Sequence, residues 1–138
     1  MKPFALDSDM LTMGGVFYPT GHVLAMFPAA TDAYRAADKL QAAGLDGDAL
    51  SFVPTETILS SITHTVGSAD DPLPSVGTEA TTVRQIAALA TQGHCALLVH
   101  APDAADSDHA MQVLQGEPVA AAWKYRQLVI EDLVPPPA

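Results

Sequence analysis

Residues 93–102 read Gly-His-Cys-Ala-Leu-Leu-Val-His-Ala-Pro, and the reading of this run decides the fold. A helix-stopping glycine precedes a short apolar segment, and a proline ends it, which predicts a central β-strand. Cys95, Leu97 and Val99 fall on one face of such a strand and Ala96 and Leu98 on the other. Both faces are therefore apolar, as suits a strand covered by helices on at least one side. His94 and His100 share the second face but stand roughly 20 Å apart along an extended chain. They cannot bind one metal ion together on an unbroken strand.

The neighbouring segments alternate helix and strand. Upstream, Thr78 is the expected cap of an amphipathic helix whose Val83, Ile86, Ala87 and Ala90 share a face and which ends at Gly93. Downstream, Asp103 caps a helix with Asp106 and Asp108 early, Ala110, Val113 and Leu114 on its buried side, and Gly116 as its stop. A final strand is expected from Ala121 to Ile130, with Trp123, Tyr125 and Val129 on an apolar face and Lys124, Arg126, Leu128 and Ile130 on a mixed one. Residues 134–138 form a proline-rich tail.

Toward the N-terminus, His22 to Phe27 alternates as a strand and stops at Pro28. A helix follows, capped by Thr31, with Ala33, Ala36, Ala37, Leu40 and Ala43 on a narrow face and Gly44 as its end. Ala49 to Val53 is the next strand. A right-handed crossover makes it parallel to the first within one sheet, without placing the two side by side. Residues 1–20 read as an arm with a short strand at Val16 to Tyr18. Over residues 55–66, Ile58, Leu59, Ile62 and Val66 fit a helix, although the surrounding threonines and serines leave a strand open. Residues 67–77 read as a loop.

Strand, helix, strand, inserted helical segment, strand, helix, strand is the order of an α+β domain of ferredoxin-like, split β-α-β type, here a single domain over residues 21–133. A small three-layer α/β fold with a parallel sheet has the same alternation and is the alternative. With 138 residues the chain can bury about two-thirds of its unfolded surface in one core.

Charge narrows the function classes. Sixteen acidic against six basic side chains give a net charge of -10, which repels phosphate backbones and anionic lipid surfaces. Neither nucleic acid nor membrane is an expected partner. The single cysteine, Cys95, forms no internal disulfide and fits a reducing compartment, so a cytoplasmic location is expected. The first 14 residues lack the basic start and apolar core of a signal peptide, and no run reaches the roughly 20 apolar residues of a membrane-spanning helix.

Ala-Ala-Asp-Lys-Leu-Gln-Ala-Ala-Gly over 36–44, the helix running through Gln92 into Gly93 and the apolar run 96–99, and Tyr-Arg-Gln-Leu-Val-Ile-Glu-Asp-Leu over 125–133 resemble the bacterial general stress protein family. The resemblance covers about residues 21–133 and rests on packing positions and helix stops. The arm and the loop with Pro72 and Pro74 depart from it. It implies a small cytoplasmic, stress-associated domain and brings no catalytic residues.

Chemical motifs are sparse. No His-x-His or His-Glu-x-x-His spacing occurs. Asp106 and His109, one helical turn apart and extensible by Asp103, are the metal candidates, set against the ordinary use of acidic residues at a helix start. His94 and Cys95 point to opposite strand faces and make no dyad. No glycine loop for phosphate is present, no cofactor is expected and no catalytic residue is assigned. Two functional readings follow. In the first, the domain self-associates as a homodimer or binds a partner through an open sheet face, with Trp123 and Tyr125 or the cationic pair Lys124 and Arg126 exposed there. In the second, it binds a small molecule, or acts as an enzyme, in a pocket at a dimer sheet interface lined by His22, His100, Trp123 and Tyr125.

Overall fold

The computed structural model describes residues 1–12, 15–65, 78–127 and 129–134, with the backbone alone at 78 and 79. Two apolar runs found in the sequence form its centre. Strands β2 (His22–Phe27) and β4 (Cys95–His100) pair antiparallel along their whole length, from His22 opposite His100 to Phe27 opposite Cys95. Strand β3 (Leu50–Val53) lies antiparallel on the outer side of β4, and β5 (Ala121–Tyr125) antiparallel on the outer side of β2. Two short strands extend the edges: β1 (Lys2–Pro3), parallel to β3, and β6 (Ile130–Asp132), antiparallel to β5. The result is a mixed α+β sheet in the order β1-β3-β4-β2-β5-β6. Among the described residues only the β1–β3 contact is parallel, so the expected alternative of a parallel sheet is not what they form.

Helices cover both faces. On one, α1 (Ala30–Ala42) and α4 (Ala104–Val113) pack Ala33, Ala36, Ala37, Leu40, Ala110 and Leu114 onto Val23, Ala25, Phe27, Cys95, Leu97 and Val99. The alanine face of α1 lets its backbone come close to the sheet, since a methyl group is all that stands between them. The other face carries Leu24, Met26, Ala96, Leu98, Trp123 and Tyr125. It is covered by the segment inserted between β3 and β4 and by Val16 and Phe17 of the N-terminal segment. The insertion begins as α2 (Thr55–Thr57), widens into a π-helical turn at Ile58–Ile62, tightens over Thr63–Thr65, and resumes as α3 (Thr78–Thr91). Ile58, Ile62, Val83, Ile86 and Ala90 are its buried contacts. The helix expected over 55–66 is thus present with a wide middle, while the loop expected over 67–77 lies outside the described residues, as does the Thr78 side chain.

Three local expectations are corrected. α1 starts one residue before Thr31: Ala29, stopped in extended geometry after Pro28, is the cap, and its carbonyl accepts from Asp32 and Ala33. The final strand does not run from Ala121 to Ile130. It turns at Arg126, whose N–H donates to the Val129 carbonyl (2.8 Å), so that β6 folds back on β5 and Val129 is 58% exposed. The Lys124 and Arg126 patch does not form, because Lys124 is 4% exposed and lies beneath the helical layer while Arg126 stands in the turn beside Glu131. The arm is also part of the sheet, through β1 and through Phe4, whose ring meets Phe17 edge-on.

Candidate functional site

The antiparallel register sets the first residue of β2 against the last of β4, and both are histidine. The His22 and His100 rings stand 5.0 Å apart, centre to centre, inclined by 54°. Gly21 fixes where β2 begins. Its φ of +79° is left-handed, its N–H donates to the Tyr125 carbonyl and its own carbonyl accepts from Ala101, so both neighbouring strands are tied to the chain at the turn before His22. The Nδ1 of His22 lies 3.0 Å from the Thr20 carbonyl. A carbonyl only accepts, so Nδ1 carries the proton and the Nε2 lone pair is left for another partner. Burial, with His100 alongside, pushes the His22 imidazole below its ordinary pKa against the opposing pull of the Thr20 hydrogen bond.

The two rings line a cleft of about 350 Å³ at this end of the sheet. Ser51 and Leu98 form its floor on the same sheet face. Asp7 and Asp9 reach it from the N-terminal segment and Asp48 from the turn before β3, with Lys2 the single ammonium group on its lining. Three carboxylates outnumber one cation, and Lys2 makes no ion pair within 4 Å among the described residues. Asp7 is used locally, accepting from the Asp9 N–H (2.8 Å), and Asp46 likewise accepts from the Asp48 N–H (3.0 Å). These short turns place Asp9 and Asp48 on the lining of the cleft.

Of the four expected ligand-binding residues, His22 and His100 converge within one chain. Trp123 and Tyr125 do not line the cleft. They are 5% and 0% exposed in the core under the inserted segment, where Tyr125 meets Phe17 and Tyr18 edge-on at 6.0 and 5.1 Å. The Tyr125 hydroxyl is buried with no hydrogen-bond partner among the described residues, and burial pushes its pKa far upward. Asp106 and His109 are exposed on α4, where the Asp106 carboxylate accepts from the Asp103 N–H (3.3 Å) as part of a capping box. Among the described residues, no three of His, Cys, Asp or Glu are grouped to hold a metal ion. Cys95 is buried with its Sγ 3.8 Å from the Phe27 carbonyl, and burial raises its pKa, which disfavours the thiolate.

The acidic wall was missed in the sequence. Asp7, Asp9 and Asp48 sit in two separate turns, and only the sheet order, with β3 beside β4 and β1 beside β3, brings them to the histidines. No helix among the described residues is long and apolar enough to cross a membrane. Comparison with protein-family models, curated proteins and solved structures finds no match.

Proposed function

We propose that this protein binds a small, positively charged ligand in the cleft at the open ends of β2 and β4. The observation that carries the reading is the meeting of His22 and His100 under a wall of three carboxylates with one opposing ammonium group. An imidazole held neutral accepts hydrogen bonds and offers a ring face to a cation, and carboxylates supply the charge. A convergent polar set in a cleft of this size is the usual form of a small-ligand site. The core of β2 to β5 with α1 and α4 supports a ferredoxin-like reading, its strand order being 2-3-1-4 counted from β2; the insertion and the two edge strands depart from it. Association through an open apolar sheet face is the lesser reading, because among the described residues both faces are covered.

Thermal unfolding of the untagged chain against organic ammonium compounds, metal cations and matched anions tests this. Cations at a hundredfold excess over Kd should stabilise by about 2.7 kcal/mol, and the combined Asp9→Asn and Asp48→Asn variant should lose the shift. Stabilisation by anions instead, or an unchanged shift in the variant, would overturn it.

A further inference from the structure

The geometry points to a divalent late transition-metal ion, of the zinc, nickel or copper class, as the cation held by His22 and His100. This deepens the cleft reading and rests on it. Two imidazoles bound to one tetrahedral ion, each nitrogen about 2.0–2.1 Å from it, have ring centres about 5 Å apart. The rings here are 5.0 Å apart, within reach of one such ion. The Thr20 carbonyl accepts the Nδ1 proton of His22, which leaves the Nε2 lone pair to a ligand, the arrangement that orients and strengthens a histidine ligand. Both rings stand on the two central strands, whose continuous pairing, with Val23 and Val99 buried beside them, fixes where the two side chains leave the backbone. Little backbone ordering is then left to binding.

No third His, Cys, Asp or Glu is grouped with the pair among the described residues, so water or a bound molecule completes the coordination. The carboxylates of Asp9 and Asp48 lining the same cleft accept hydrogen bonds from metal-bound water and offset the charge. Imidazole ligands select zinc, copper and nickel over the oxygen-seeking magnesium and calcium.

Equilibrium dialysis of the untagged full chain against zinc, nickel, magnesium and calcium chlorides reads the stoichiometry and selectivity. One zinc or nickel ion per chain is expected, with neither magnesium nor calcium retained. His22→Asn and His100→Asn, each checked for folding by circular dichroism without metal, should each weaken zinc binding by at least about 100-fold, since losing a ligand exceeds the 10–100-fold effect of losing its support. His109→Asn, on α4 away from the cleft, should bind as the parent does. Should one histidine variant fail to fold, the other decides. Parent-like zinc binding in a folded His22 or His100 variant, or no zinc and nickel binding at all, overturns the metal assignment. Organic-cation stabilisation that persists in that case leaves the cleft reading standing, and its loss as well removes both.

Discussion

Lys124 is the residue whose position most departs from its chemistry. Its Nζ is buried with no hydrogen-bond partner among the described residues, and burial lowers its pKa from the ordinary 10.5 against the attraction of Asp106, Asp103 and Glu131, with Arg126 adding to the lowering. A base whose folded pKa is depressed binds fewer protons folded than unfolded between the two values. Its penalty is therefore present in full below the folded pKa and fades as pH rises toward 10.5. Lys124→Met should raise stability at pH 7 by about 1–3 kcal/mol, and urea midpoints from pH 7 to 10 should climb more steeply in the parent than in the variant. A variant less stable than the parent at pH 7 would refute this. Strand alternation did place Lys124 opposite Trp123 and Tyr125. What it lacked was the knowledge that both sheet faces are covered, which turns an expected surface lysine into a buried one.

At the scale of the elements, the insertion between β3 and β4 makes the second layer, and Ile86 of α3 is one of its fully buried contacts. Ile86→Ala should cost about 2–5 kcal/mol in chemical denaturation; a loss below 0.5 kcal/mol would mean that α3 contributes little to the core. The spacing of Val83, Ile86 and Ala90 made α3 legible. The preceding segment was harder, because its threonines argue against a helix by propensity. In the fold they serve it: Thr63 Oγ1 donates to the Ile58 carbonyl (3.0 Å) and Thr65 Oγ1 to the Ile62 carbonyl (2.7 Å), partnering carbonyls of the widened turn. The β5–β6 hairpin escaped notice for another reason. Its turn, Arg126 to Val129, contains no glycine, proline or asparagine, so no breaker interrupts the alternation.

The whole molecule brings together what no local pattern joins. Two six-residue runs, His-Val-Leu-Ala-Met-Phe and Cys-Ala-Leu-Leu-Val-His, each carry one histidine at opposite ends, and antiparallel pairing in full register must make those ends meet. The pairing partner of each strand is a property of the sheet order and could not be read from either run. The cleft that results has walls of unequal strength. Its histidines ride on the central strands, whereas Asp7 and Asp9 ride on a segment fastened by the two-residue β1 ladder, by Phe4, Leu6 and Met10 against the core, and by the isolated Leu11–Phe17 bridge. Amide hydrogens near the N-terminus should therefore exchange with deuterium through brief local openings, and those of 22–27 and 95–100 only through global unfolding. An occupant bridging the two walls must slow the first class selectively. Added cation should then protect the amides around Asp7 and Asp9 more than those of β4, so that a short stretch of backbone at the edge of the sheet becomes the clock by which occupancy is read.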